Sequence, residues 1–179
     1  NINLCMLIIQ FTGLSGAGKT TLAQKVNDLF EAQQIHVEVI DGDVYRTTLC
    51  KDLGFSKADR CENIRRLGKE ASELAKNSDI TIIAAINPYE EIRNELKVNY
   101  NAKTVWIKCA VEILSQRDTK GLYKRARLPE GHPQKISNLT GFNDVYENPT
   151  QPDLIIDTAF ETPEISAGKL FRFLQQFLY

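Results

Sequence analysis

The sequence predicts an α/β fold in three layers, with a central, mostly parallel sheet between two sets of helices, and three observations carry that prediction. Apolar strand-like runs alternate with amphipathic helical stretches along all 179 residues, the order expected of strands joined by crossover helices. The run Asp79-Ile80-Thr81-Ile82-Ile83-Ala84-Ala85-Ile86 is nearly continuous in apolar residues, as a strand covered on both faces requires. The segment Gly13-Leu14-Ser15-Gly16-Ala17-Gly18-Lys19-Thr20 reads G-x-x-x-x-G-K-T directly after the run Met6 to Phe11, so that strand, glycine-rich turn and helix start follow one another.

The elements follow in order. After the first strand and its turn, Thr20 to Gln33 is helical, with Leu22, Val26, Leu29 and Phe30 on one face. Ile35 to Ile40 is a second strand, ending in Asp41-Gly42-Asp43. Asp59 to Asn77 reads as a long helix: Asp59 can cap it, and Ile64, Leu67, Ala71, Leu74 and Ala75 form its apolar stripe. Pro88 closes the central strand, Glu90 to Val98 is helical, Thr104 to Cys109 is a strand and Val111 to Asp118 a helix. A basic, loop-like stretch runs from Thr119 to about Asn148. A last strand, Asp153 to Thr158, precedes a helix that starts at Thr162-Pro163 and aligns Leu170, Phe171, Leu174, Phe177 and Leu178. There is no repeat, linker or low-complexity tract, so residues 1–179 read as a single domain.

Composition narrows the partners. A net charge of -1 gives no bulk attraction for nucleic acid or membrane surface. No apolar stretch is long enough to span a bilayer, and Asn1-Ile2-Asn3 lacks the basic start of a signal peptide. Cys5, Cys50, Cys61 and Cys109 show no C-x-x-C spacing and read as free thiols in a reducing, cytoplasmic setting. His36 and His132 fall in no zinc-ligand pattern.

The glycine-rich turn implies binding of a nucleoside triphosphate. Glycines let successive N–H groups converge on anionic oxygens, above the positive end of the following helix. Candidate contacts to the donor are Gly13, Leu14, Ser15, Gly16, Ala17, Gly18, Lys19, Thr20 and Thr21, with Lys19 on the β- and γ-phosphates and the Thr20 hydroxyl on Mg²⁺. Asp41 and Asp43 stand at the C-terminal end of the second strand, where ligands collect in parallel sheets. Two carboxylates there divide two roles, one beside Mg²⁺ and one accepting a proton from an attacking hydroxyl. Asp43 is the candidate base and Asp41 the candidate metal-side residue, although the roles can be exchanged.

Further blocks resemble the adenylylsulfate kinase family. They are Asp41 to Arg46, Leu53 to Arg60, Glu62 to Arg66, Asn87-Pro88-Tyr89, Arg117 to Arg127, Leu139-Thr140-Gly141 and Tyr146 to Pro149. The resemblance implies a P-loop kinase fold with a basic lid at about 119–148. It also implies transfer of the ATP γ-phosphoryl to the 3′-hydroxyl of adenylylsulfate. Under it, Lys19, Asp41 and Asp43 carry the chemistry, and Arg117 lies against the ATP base. The acceptor nucleotide meets Asp43, Arg46, Phe55, Arg60, Asn63, Ile86, Asn87, Lys120, Leu122 and Leu139. The residue types suit such an acceptor, since guanidinium groups clamp phosphate and sulfate oxygens and Phe55 offers a ring face to a base. Arg65 and Arg66 read equally well as a solvated helix face paired with Glu62 or Glu70. The family also implies a homodimer.

Three positions depart from the family pattern: Val44 replaces Asn, Asn87 replaces Ser and Leu139 replaces Phe, while Leu128 to Pro133 lengthens the lid. Asn87 cannot carry a phosphoryl ester, which leaves direct in-line transfer. The departures keep two alternatives open: a related kinase acting on another acceptor, such as cytidine diphosphoramidate, and a non-kinase nucleotide-binding or ATPase module.

Overall fold

The computed structural model describes residues 6–178, and the expectations for Asn1 to Asn3 and Cys5 lie outside them. Five strands form one sheet: β1 (Leu7–Thr12), β2 (Val37–Asp41), β3 (Ile80–Ala84), β4 (Lys103–Lys108) and β5 (Leu154–Asp157). Their order is β2-β3-β1-β4-β5 and every neighbouring pair is parallel. β1 is central, with Ile9 beside Ile82 of β3 on one side and Lys103 of β4 on the other. Among the described residues seven helices accompany them: α1 (Lys19–Glu31), α2 (Gly42–Tyr45), α3 (Lys57–Leu74), α4 (Glu90–Tyr100), α5 (Val111–Arg117), α6 (Leu122–Ala126) and α7 (Pro163–Gln175).

Alternation along the strands produces the three layers. Leu7, Ile9 and Phe11 of β1 and Ile80 and Ile82 of β3 pack with Leu22, Val26 and Phe30 of α1 and Leu170 and Leu174 of α7. Ile8 and Ile83 point to the other face, against Ile64, Leu67 and Ala71 of α3 and Ile92 and Leu96 of α4. β1 and β3 are buried along their whole length, as their apolar sequences predicted.

Five elements differ from the sequence reading, each for a local reason. α3 is capped by Ser56, not Asp59: Ser56 Oγ accepts the Asp59 N–H at 3.1 Å and donates to Asp59 Oδ2 at 2.8 Å. α4 continues to Tyr100 because its stop is Asn101, which takes the left-handed conformation at φ 51 that Asn tolerates. α2 and α6 are too short to show a helical period. Each is instead held by one aspartate, Asp41 bonding the N–H groups of Asp43 and Val44, and Asp118 those of Tyr123 and Lys124. Phe177 and Leu178 lie beyond the end of α7, in a turn that still packs on the same core. Cys50, Cys61 and Cys109 are buried free thiols.

Candidate active site

The loop after β1 bends through Gly16 at φ 81 and Gly18 at φ 98, left-handed conformations that only glycine adopts at little cost. Gly18 is also the N-cap of α1 and has no side chain to occupy the first-turn N–H groups, while no acidic residue stands in that turn. The helix therefore presents its positive end and free donors to the cavity lined by Ser15, Gly16, Gly18, Lys19, Thr20 and Thr21. Lys19 folds back onto its own loop, donating to Gly13 O at 2.9 Å and Leu14 O at 2.8 Å. Burial lowers its pKa to about 8, against a raising effect from Asp43. Leu14 itself is a packing residue, buried in the core beneath the loop.

The two aspartates are placed differently. One oxygen of Asp41 is spent on the α2 N–H groups, and the other accepts the Thr20 hydroxyl at 2.8 Å. Asp43 is exposed, and among the described residues its carboxylate pairs only with Lys120, whose ammonium lies 2.7 Å away. Thr20 and Asp41 are hard oxygen donors brought side by side, which fits Mg²⁺, an ion that takes few protein ligands and fills the rest with phosphate and water. Among the described residues no group of three or more His, Cys, Asp or Glu could hold a metal alone.

A second cavity adjoins the first. Asp43, Arg46, Phe55, Arg60, Asn63, Ile86 and Asn87 line it, together with Ile64 and Pro88. Asp43, Ala85 and Ile86 line both cavities and form the wall between them. Arg46 bonds the carbonyls of Leu53 and Gly54 through Nη1, leaving Nε and Nη2 without partners among the described residues. Burial and the neighbouring Arg60 lower its pKa. Arg60 is more committed: it donates to Phe55 O, Thr140 Oγ1, Asn138 O and Asp144 Oδ2, which leaves one N–H. Both guanidiniums lie over Phe55, at 5.0 and 5.4 Å from its ring centre.

The structure does not bring every candidate to this cavity. Leu139 is buried in the core with Leu14, and Leu122 lines a narrow cleft beside Arg117, Lys120 and Tyr123. Arg65 and Arg66 pair with Glu62, Glu95 and Asp52, the solvated-face arrangement, without Glu70. Arg117 lies in a third cavity with Thr21, Leu22, Thr158, Glu161 and Ser166, and donates to Thr158 O at 2.9 Å. The residues after β5 were not foreseen; their one signal was their place at the C-terminal end of a parallel strand.

A buried network lies behind the second cavity and reaches it through Asn87. Arg93 spends all five N–H groups, on Glu90 Oε2 twice, Thr12 Oγ1, Asn87 O and Glu147 O. Sequence reasoning missed it, because an arginine inside an amphipathic helix reads as solvated.

Parallel sheet, P-loop and a second cavity sharing an aspartate wall define a nucleotide-binding protein of the P-loop kinase class. The family described as adenylylsulphate kinase matches residues 5–157. An adenylyl-sulfate kinase of Rippkaea orientalis is 41% identical over 96% of this chain and 92% of its own length. A probable bifunctional SAT/APS kinase of Sorangium cellulosum is 44% identical over 96% of this chain, which spans only 29% of that relative. The structure of a Mycobacterium tuberculosis APS kinase in complex with AMPPNP and APS superposes with a TM-score of 0.85 at 33% identity, covering 94% of this chain and 97% of that one. This chain belongs to the adenylylsulfate kinase family.

Proposed function

We propose that this chain transfers the γ-phosphoryl of ATP to the 3′-hydroxyl of adenylylsulfate, giving 3′-phosphoadenylylsulfate and ADP. The observation that carries the reading is the shared wall of Asp43, Ala85 and Ile86 between the P-loop cavity and the Arg46 cavity. A hydroxyl in one cavity and a γ-phosphate in the other meet at Asp43. The new bond joins the 3′-oxygen to phosphorus, the bond to the β-phosphate oxygen breaks, and the hydroxyl proton passes to the Asp43 carboxylate. The pinning of Asp41 by Thr20 and α2 supports its placement on the metal side, and the exposure of Asp43 supports the base role. Mg²⁺, held by Thr20 and Asp41, would neutralise phosphate charge. Lys120, beside Asp43, and the basic segment 119–148 serve as a lid that brings positive charge to the transferring group and excludes water.

The free Nε–Nη2 edge of Arg46 suits a bidentate grip on the acceptor's phosphosulfate, and Phe55 takes its base. Arg60 holds the wall and offers its last N–H. Thr158, Glu161, Ser166 and Arg117 surround the ATP base. The domain is single and cytoplasmic and works in sulfate activation, as a homodimer by family likeness.

The test is ADP release with Mg²⁺, with and without adenylylsulfate, and with cytidine-based acceptors in competition. We expect release to depend on adenylylsulfate. Equal ATP turnover without any acceptor sinks the kinase reading, and preference for the cytidine acceptor moves it to the related kinase. Asp43→Ala and Lys19→Ala should each lower turnover by about two orders of magnitude or more with the fold intact. Near-normal turnover in Asp43→Ala would remove its base role.

A further inference from the structure

Three buried side-chain polar atoms lack a hydrogen-bond partner among the described residues: Asn63 Oδ1, Asn87 Oδ1 and Ser115 Oγ. Two of these belong to residues lining the Arg46 cavity. The orientation of the Asn87 amide is dictated from behind. Gln10, fully buried on β1, directs Nε2 to Arg93 O at 2.9 Å and Thr104 Oγ1 at 3.0 Å. A carbonyl only accepts, so the nitrogen of Gln10 must face it, and Gln10 Oε1 faces Asn87. That oxygen takes the Asn87 Nδ2 hydrogen at 2.9 Å, which leaves Asn87 Oδ1 turned away from Gln10 as a bare acceptor. The backbone is held as firmly: Asn87 sits at φ 51, and its carbonyl accepts Thr12 Oγ1 at 2.9 Å and Arg93 Nη1 at 2.8 Å.

Its place along the cavity tells which ligand group it meets. Like Phe55, Arg60 and Asn63, Asn87 lines the acceptor cavity alone, but it directly follows Ile86 of the wall shared with the P-loop cavity, whereas those three belong to α3 and the loop before it. A ribose whose 3′-hydroxyl reaches the γ-phosphate lies at that wall, and its neighbouring 2′-hydroxyl is a hydrogen-bond donor. A carboxamide oxygen accepts from such a hydroxyl and repels an anion.

We propose that Asn87 Oδ1 reads the 2′-hydroxyl of the acceptor ribose, and that Gln10 is the positioning residue that aims it. The proposal rests on the kinase reading and adds a sugar specificity to it. A polar acceptor left unpaired by a deoxy analogue is what makes a site reject that analogue.

The experiment compares kcat/KM for adenylylsulfate and its 2′-deoxy analogue in the wild-type chain, Asn87→Ala, Gln10→Met and the double variant. The wild type should favour the ribose acceptor by about tenfold or more. Asn87→Ala should abolish that ratio, Gln10→Met should lose most of it, and the double variant should match Asn87→Ala, the non-additivity expected when one residue acts through the other. A wild type indifferent to the 2′-hydroxyl overturns the proposal, as does an Asn87→Ala that still discriminates, or additive ratios in the double variant. Should Gln10→Met fail to fold, Gln10→Glu replaces it. Either form of its carboxyl still accepts the Asn87 Nδ2 hydrogen, so a folded Gln10→Glu should keep the discrimination across pH, and its loss there counts against the role. Turnover of adenylylsulfate by the wild type tests the kinase reading by itself. Without turnover, the same ratio is read from calorimetric binding of adenosine and 2′-deoxyadenosine 5′-monophosphates.

Discussion

Lys19 shows how one residue couples the donor site to pH. Its ammonium is buried against the Gly13 and Leu14 carbonyls, and that burial lowers its pKa to about 8, with Asp43 opposing, Lys120 adding to the fall and Asp41 opposing again. A phosphate beside it favours the charged form, so binding above about pH 8 requires uptake of a proton. We expect affinity for an ATP analogue to fall above pH 8, approaching tenfold per pH unit. Calorimetry in two buffers of different ionisation heat measures both the affinity and the proton taken up; a flat affinity would show an ordinary, fully charged lysine. The stability sign follows from the same shift. Between pH 8 and the ordinary lysine value of 10.5 the unfolded chain binds more protons than the folded one. The unliganded fold therefore carries an unfavourable contribution from Lys19 below pH 8 that is relieved as pH rises through this window.

At the scale of elements, the segment 138–144 acts as a wedge between α3 and the phosphate loop. Arg60 grips it through Asn138 O at 2.8 Å, Thr140 Oγ1 at 2.8 Å and Asp144 Oδ2 at 2.9 Å. On its other side Gly141, at φ 81, lies so close to Leu14 that any β-carbon would collide with that side chain. Gly141→Ala should therefore cost about 2 kcal/mol from backbone strain and displacement of Leu14. Thermal unfolding would register this as a fall of roughly 4–8 °C. Because Leu14 belongs to the phosphate loop, the variant should also gain less thermal protection from an ATP analogue. An unchanged gain would mean that the wedge supports the loop without shaping it.

Across the whole molecule, Arg93 ties the ends of β1 and β3 to the far end of the basic segment. The residue is 2% exposed and its guanidinium bonds Thr12, Asn87, Glu90 and Glu147, and Thr12 in turn meets the Tyr146 hydroxyl at 2.9 Å. Arg93→Met should lower stability by about 3 kcal/mol, since it leaves Glu90 without its buried partner. That corresponds to a fall of roughly 6–12 °C in melting temperature. Lysine should not rescue it, because a compact ammonium cannot span four acceptors set around a planar fork. A loss below about 1 kcal/mol in denaturant titration would show that the surrounding packing holds these ends without the arginine.

Local residue order determined what depends on local order. The glycine-lysine-threonine turn, the buried strands and the aspartates after β2 were legible because a strand followed by an anion-binding helix start is written in consecutive residues. The blocks around Arg46, Phe55 and Asn63 carried the family resemblance without any knowledge of the fold. Tertiary structure decided what sequence neighbours cannot show. It placed Leu139 in the core and Arg46 with a free edge, committed most of Arg60 to the 138–144 segment, and left Asp43, unlike Asp41, exposed and paired with Lys120. It also revealed Gln10 and Arg93, residues whose partners lie tens of positions away. Hydrogen-bond partnership and burial belong to pairs of distant residues brought together by the sheet, so the chemistry available to a side chain is settled only when the chain has folded around it.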